Sequence, residues 1–205
     1  MAQPRIQKKK ADQYHHGDLR RALLVAGEQL LAKSGPEGLS LREVAQRAGV
    51  SHAAPYRHFA SKEALLAALA EQGFRELATE LRAAHGRDAL QTLQAQGVGY
   101  VRFALAHPAQ VRVMFRAGVV SGEHPELKAT ADEAFGLLVQ GVVACQELGV
   151  FARGDPLPLA TSCWALSHGL ALLMLDGALG FPREPLAAEQ FARDAVGQLL
   201  RGMKR

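Results

Sequence analysis

Serine, cysteine, histidine and acidic side chains are all present in this chain, but their spacing does not match a catalytic site. The 205 residues contain no G-x-S-x-G, H-E-x-x-H or G-x-x-x-x-G-K-[ST] sequence. Ser167 and His168 are adjacent and so lie on different helix faces, which makes them a poor nucleophile and base pair. The pair Gly97 and Gly99 lacks the third glycine of a dinucleotide-binding turn and follows no predicted strand. We therefore expect no catalytic residues and no cofactor.

The two cysteines, Cys145 and Cys163, are too few and too isolated to form a disulfide framework or a zinc site. We expect free thiols in a reducing compartment and no bound metal. The first 21 residues are too polar for a signal peptide, and the most apolar stretch, residues 163–175, is too short to span a bilayer. The sequence thus predicts a soluble, cytoplasmic protein without a membrane partner.

Residues 40–62 fit a role in hydrogen bonding to DNA phosphates and base edges better than a catalytic role. Ser40 to Glu43 has the S-x-x-E form of a capping box, Gly49 can close the helix that follows, and Ser51 can cap a third helix ending near Phe59. Two short helices joined by a glycine turn form a helix-turn-helix, whose second helix enters the major groove of DNA. The residues that would reach base edges are His52, Ala53 and Ala54.

These residues also carry a family resemblance. Residues 18–66, and especially LSLREVAQRAGVSHAAPYRHFASKEALL, resemble the DNA-binding head of the TetR family of transcriptional regulators. The family pattern has a Tyr-x-x-Phe core at the end of the helix-turn-helix and a Lys-Glu at the start of a long fourth helix. Tyr56, Phe59, Lys62 and Glu63 stand at those places.

A second segment, CWALSHGLALLMLDG, resembles the eighth helix of one branch of this family. The C-terminal domain of that branch is named for a Trp, a His and a Gly, which are Trp164, His168 and Gly169 here. YHHGDLRRALL near the start of the chain is typical of the same branch. The resemblance implies about nine helices in a DNA-binding head and a body that binds a ligand and dimerises.

The resemblance implies that Ser40, Tyr56 and Lys62 contact phosphates, and that His52, Ala53 and His58 lie at or near the groove. Hydroxyls and a lysine at a helix N-terminus are suitable donors to phosphate oxygens. Arg42, Lys62 and Tyr56 also have a simpler interpretation, as solvated charges and a core ring. Pro55 and the two alanines depart from common family members and leave the operator sequence open. The predicted DNA-binding residues are Ser40, Arg42, Ser51, His52, Ala53, Ala54, Tyr56, His58 and Lys62.

The elements that position these residues are predicted to be helical. Ile6 is the only isoleucine and there are only four threonines, whereas alanine and leucine abound. Apolar periodicity and capping residues predict nine helices and an all-α fold. The first begins at Asp18, the second and third form the helix-turn-helix, and the fourth runs from Ser61 to about residue 84. The remaining five cover residues 88–106, 108–117, 125–148, 157–178 and 186–202.

Charge divides the chain into a basic N-terminal part and a slightly acidic remainder. Residues 1–62 hold eleven Lys/Arg against five Asp/Glu, and residues 63–205 hold thirteen against fifteen. A basic part is expected for a protein that binds DNA. We therefore predict a disordered basic arm over residues 1–17, a helix-turn-helix head over 18–62, and a ligand-binding and dimerisation body over 63–205.

The body offers candidate residues for a ligand pocket and for a dimer interface. Trp164 and His168 share a helix face and could line a cavity, but a packed core role is the favoured interpretation of this pair. The candidate pocket residues are Phe103, Met114, Phe115, Phe135, Trp164 and His168. The last two helices are expected to form the dimer interface through Leu166, Leu170, Leu173, Met174, Phe191, Val196 and Leu199.

The sequence thus predicts a homodimeric, TetR-like repressor that binds a palindromic operator in double-stranded DNA and is released by an unknown small molecule. The dimer is needed because one short helix reads too few bases. The fourth helix would transmit the signal, with Gly73 as its candidate flexible point. The main alternative is a DNA-binding dimer that senses no small molecule, and a body with an unrecognised enzymatic activity is a remote one.

Overall fold

The structure is a computed structural model that describes residues 16–116, 119, 124–177, 180–182 and 184–204. Within these ranges the chain is helical, and its only β feature is an isolated bridge between Phe151 and Lys204. The predicted all-α class is therefore confirmed. The eight α-helices are α1 (His16–Ser34), α2 (Leu41–Arg47), α3 (Lys62–Ala83), α4 (Ala89–Ala106), α5 (Pro108–Met114), α6 (Pro125–Glu147), α7 (Leu157–Asp176) and α8 (Pro185–Gly202).

Capping residues explain where several helices begin and end. The Ser61 hydroxyl accepts a hydrogen bond from the Ala64 N–H at the start of α3, and Asp88 does the same for Gln91 in α4. Gly177 closes α7 with a φ of 67°. Helix α1 begins at His16, two residues before the predicted cap Asp18. The predicted basic arm lies outside the described residues, except for its last two positions.

The predicted third helix is wrong as an α-helix. Between Ser51 and Phe59 only Pro55–Arg57 are helical, and they form a short 3-10 turn. Proline at position 55 has no N–H to donate to the Ser51 carbonyl, so the Ala54 N–H takes that acceptor at 2.9 Å in a three-residue spacing. The nine predicted helices thus become eight α-helices and one 3-10 turn in the described residues.

Helix α3 runs through a hydrophobic core that the head and the body share. Leu23 of α1, Val44 of α2 and Phe59 are buried at its N-terminal half, and the same apolar cluster continues to Val113 and Leu127 of the body. Phe59 is thus a core residue, as predicted. Because no solvent layer separates the two parts of this cluster, a shift of α3 must be accommodated in both.

Two helical glycines are explained by close approach of a neighbouring helix. A Cβ on Gly73 in α3 would lie 2.6 Å from Met114 Sδ and 2.9 Å from Gln110 Cγ, so the residue is a tight contact with α5 rather than the flexible point expected from the sequence. A Cβ on Gly97 in α4 would lie 3.1 Å from Ser167 Oγ and from Val196 Cγ1. Glycine lets the backbones approach at both positions.

Helix α7 is unusually apolar. By length and composition alone it could cross a membrane, although the core helix of a non-membrane protein passes the same test and a third of its apolar window is buried in this chain. Its buried side comprises Ala160, Cys163, Ser167, Leu170, Ala171 and Met174. Trp164 and His168 of this helix pack against Phe115, whereas Leu157 and Leu173 are exposed to solvent or to a partner.

Candidate DNA-contacting surface and body cavity

The predicted cap of α2 is present at Ser40, with the Glu43 carboxylate bonded to the Ser40 hydroxyl rather than to the Ser40 backbone N–H of a full capping box. Ser40 Oγ accepts the Glu43 N–H at 3.2 Å and donates to Glu43 Oε2 at 2.8 Å. Leu41, Val44 and Ala45 turn inward, and Gly49 closes the turn with a φ of 70°. The first helix of the helix-turn-helix is therefore fixed by its own sequence, and the Ser40 hydroxyl already has partners within it.

Most of the predicted DNA-contacting residues lie on the surface. Tyr56 is 60% exposed, so its ring is not a core ring. Ala54 and Ser40 are half-buried. The exposed members of the set are Arg42, Ser51, His52, Ala53 and Tyr56. Residues 51–57 thus expose side chains that the predicted third helix was expected to present to DNA, although only Tyr56 among them lies in the 3-10 turn.

Lys62 and His58 are placed differently from the expectation. Lys62 is half-buried, and its Nζ donates to the Glu37 carbonyl at 2.9 Å. His58 is also half-buried, its Nε2 is shielded from solvent, and it lines a small cavity with Glu71 and Glu126 at the junction of head and body. A base contact by His58 is inconsistent with this position, because its ring packs toward the body.

A cavity of about 830 Å³ lies among helices α3 to α7 of the body. Four of the six predicted pocket residues line it: Met114, Phe115, Phe135 and Trp164. The other lining residues are Phe74, Leu77, Leu81, Tyr100, His124, Pro125, Leu127, Lys128, Ala131, Asp132, Ala134, Leu138 and Thr161. The cavity is large enough to hold a drug-sized molecule.

Two predicted pocket residues, Phe103 and His168, lie behind the cavity wall. Phe103 is buried in the core, with its ring centroid 4.8 Å from that of His107. His168 Nδ1 is 2.7 Å from Tyr100 Oη, and the His168 ring packs against Phe115 and Trp164. His168 therefore supports the wall, which agrees with the core interpretation of this residue, whereas Trp164 borders the cavity.

The hydrogen-bonded pair of Tyr100 and His168 is uncharged at neutral pH. Burial raises the pKa of the Tyr100 hydroxyl well above its usual range, against the opposing effect of a hydrogen bond with Trp164. Burial lowers the pKa of His168. Tyr100 is not among the predicted pocket residues, although a tyrosine within the apolar run of α4 needs a hydrogen-bond partner and could have indicated a polar position there.

The charged residues of the cavity, Lys128 and Asp132, pair with each other at its rim. Lys128 Nζ is 2.5 Å from Asp132 Oδ2, one helical turn away in α6, and the two side chains are 77% and 64% exposed. No periodic or motif signal distinguishes these residues from other surface pairs. Within the described residues no group of three metal-ligating side chains comes together.

Two protein-family models together match most of the chain. The model described as "Tetracyclin repressor-like, C-terminal domain" matches residues 93–199, and "Bacterial regulatory proteins, tetR family" matches residues 23–69. The chain belongs to the TetR family. It therefore has the DNA-binding fold of a family of transcriptional regulators, which are not enzymes. The finer assignment to the Trp-His-Gly branch stays a prediction.

Solved structures agree with the family assignment. A protein of unknown function from Rhodococcus sp. RHA1 is 36% identical, with 95% of this chain and all of that chain covered at a TM-score of 0.83. A transcriptional regulator from Rhodococcus sp. Rha1 is 27% identical over 89% of this chain and 96% of that chain, with a TM-score of 0.69. The TetR-family regulator PfmR from Thermus thermophilus shares the fold at 23% identity, 89% and 99% coverage, and a TM-score of 0.68. None of the curated proteins matches the chain.

In this TetR-family chain, two polar contacts join the head to the body. The Arg116 guanidinium, next to the cavity residue Phe115, pairs with the Glu37 carboxylate of the head at 2.6 Å and lowers the pKa of that carboxyl. Gln72 of α3 donates to Glu28 of α1 and, at 3.0 Å, to Glu76. The cavity and the DNA-binding head are thus connected through side chains as well as through the shared core.

Proposed function

We propose that this chain is a cytoplasmic, homodimeric repressor that binds a palindromic operator and is released when a small molecule occupies the body cavity. In this proposal residues 18–62 bind DNA, with residues 1–17 as a basic arm along it, and residues 63–205 bind the ligand and dimerise. The proposal rests on helix α3, which contacts both the DNA-binding head and the body cavity. Its first residue, Lys62, bonds to the head, and Phe74, Leu77 and Leu81 line the cavity.

The exposed residues of the head support DNA binding. His52 and Ala53 follow the helix-turn-helix turn and lie in solvent with Tyr56. His52 can hydrogen-bond to a base edge, Ala53 can contact a thymine methyl, and the Tyr56 hydroxyl can donate to a phosphate. The Lys62 ammonium would reach a phosphate only by exchanging or sharing its bond to the Glu37 carbonyl.

The outer faces of α7 and α8 support a dimer, but with fewer residues than the sequence analysis proposed. Leu170, Met174 and Val196 are buried within the single chain, so their side chains are not available to a partner. Leu173 and Phe191 are 37% and 40% exposed, and the half-buried residues Leu166 and Leu199 lie on the same two helices. A second copy that covers this face would place two heads on one side of a duplex.

A ligand would act by favouring a body shape in which the two heads no longer match the operator. Met114 lines the cavity and packs on Gly73, so a molecule that displaces it pushes directly on α3. Phe115 precedes Arg116, which holds Glu37 of the head. Helix α3 has 22 residues and is about 33 Å long at 1.5 Å per residue, so a small rotation at the cavity becomes a larger displacement at the head.

The cavity favours this proposal over a DNA-binding dimer that senses no small molecule, because such a protein needs no apolar cavity of this size. An enzymatic body is also less compatible with the described lining, in which Thr161 is the one aliphatic hydroxyl and no serine occurs.

The proposal is tested by fluorescence anisotropy with a labelled duplex taken from the DNA beside the gene. His52→Ala should weaken binding by about 1–3 kcal/mol and blur the preference at one position of each half-site. His85→Ala is the matched control, because His85 is an exposed histidine in the loop after α3. Equal effects of the two substitutions would contradict the assignment of the DNA-contacting surface.

A further inference from the structure

The cavity of the body is walled on one side by adjoining aromatic rings. The Trp164 ring lies between Phe115 and Phe135, with centroid separations of 6.0 and 6.1 Å and interplanar angles of 38° and 70°. Phe115 in turn makes an edge contact with Phe74 at 5.5 Å. Rings that border a cavity lack dispersion partners on that side, and flat aromatic groups restore these contacts best.

Apart from Lys128 and Asp132, the described lining of this cavity holds no lysine, arginine or carboxylate that could pair with an ionic ligand, and His124 is its one histidine. Its two charged lining residues, Lys128 and Asp132, neutralise each other at the rim. The buried Tyr100 hydroxyl is protonated at neutral pH, and the histidine bonded to it is neutral. A carboxylate or an ammonium group deep in the cavity would lose its hydration without gaining a counter-charge, which is unfavourable.

The most deeply buried polar group of the described lining is the hydroxyl of Tyr100, whereas Thr161 is exposed and His124 is half-buried. A tyrosine hydroxyl has one proton to donate and two lone pairs. Tyr100 Oη already bonds to His168 Nδ1 at 2.7 Å. When His168 Nδ1 carries no proton, it accepts the proton of the Tyr100 hydroxyl, and the hydroxyl oxygen keeps a free lone pair. When Nδ1 is protonated, it donates to the hydroxyl oxygen, and the hydroxyl proton stays free. A ligand hydroxyl both donates and accepts, so it matches either arrangement.

We infer that the cavity binds an uncharged aromatic alcohol or phenol, whose rings pack on Phe115, Phe135 and Trp164 and whose hydroxyl bonds to Tyr100. This inference rests on the proposed function only in taking the cavity as the effector site. The same rings disfavour a fully saturated skeleton of equal size.

Binding can be measured on the full chain without DNA, because Trp164 is the only tryptophan and lines the cavity. The probes share one skeleton: biphenyl-4-methanol, biphenyl-4-carboxylate, biphenyl-4-methylammonium and 4-methylbiphenyl. Quenching of Trp164 and calorimetry should show the alcohol binding at least tenfold more tightly than either ion. Tyr100→Phe should weaken binding of the alcohol about threefold to tenfold and leave 4-methylbiphenyl unchanged.

Leu157→Ala is the control variant, because Leu157 is an exposed residue of α7 outside the cavity, and it should change no affinity. The preference of the wild-type chain for the alcohol over 4-methylbiphenyl tests the hydroxyl contact even if Tyr100→Phe fails to fold. Tighter binding of an ion, equal binding of the saturated bicyclohexyl alcohol, or no binding of the alcohol would each overturn the inference. If the alcohol binds but DNA stays bound, the ligand class stands and the release step of the proposed function fails.

Discussion

Replacing Gly73 by alanine tests the contact between the helix that carries the head and the cavity. In an open helical position this change stabilises a protein by about 0.5–1 kcal/mol, because alanine is the better helix former. Here the new methyl group would lie 2.6 Å from Met114 Sδ and 2.9 Å from Gln110 Cγ. Overpacking of this kind costs about 1–3 kcal/mol. We therefore expect Gly73→Ala to destabilise the chain by roughly 0–2.5 kcal/mol, with Met114 displaced toward the cavity.

Urea unfolding, followed by circular dichroism and by the fluorescence of Trp164, measures this change. Gly136→Ala in α6 is the matched control, because a Cβ there meets no atom within 4 Å, and it should show the full helix-forming gain. In a Met114→Ala background the contact with sulfur is gone, so Gly73→Ala should become less destabilising and give a coupling of about 1–2 kcal/mol. If Gly73→Ala stabilises the chain as much as Gly136→Ala does, the tight contact is absent and Gly73 is a flexible point after all.

Two further predictions concern carboxylates at the junction of head and body. Burial and repulsion from Glu76 raise the pKa of Glu28, so the ionised carboxylate destabilises the fold above its folded-state pKa, and this penalty is absent below its unfolded-state pKa. Glu28→Gln should therefore raise the urea midpoint at pH 7 more than at pH 4. Equal shifts at the two pH values would contradict the burial argument. Arg116 lowers the pKa of Glu37, so Arg116→Gln should return that pKa toward its usual range in an NMR titration, whereas an unchanged value would show that the pair does not persist in solution.

Much of the fold followed from local signals in the sequence. Ser40 and Ser61 fix helix starts through hydrogen bonds within a few residues, and Gly49 closes a turn with a positive φ, so their roles can be inferred without knowing the tertiary structure. The prediction of an α-helix after Ser51 was wrong, and the reason is local. One proline removes a donor from a helix that is only about two turns long, and a 3-10 turn results.

The cavity and the junction could not be derived in this way, because their residues come together only through tertiary packing. Tyr100 and His168 are 68 positions apart, and nothing local in either helix indicates their hydrogen bond. Gly73 has the same sequence signature whether it is a flexible point or a contact with Met114. Apolar periodicity identified Leu170 and Val196 as interface residues, but it cannot distinguish packing within one chain from packing between two.

Selection of duplexes from a random-sequence pool by the full-length chain tests the central claim most directly. Two heads held by one dimer should select an inverted repeat whose half-sites are centred about 10 base pairs apart, or a multiple of that distance. Selection of a single asymmetric motif, or of no motif at all, would contradict the claim that the protein binds DNA as a dimer with two DNA-binding heads.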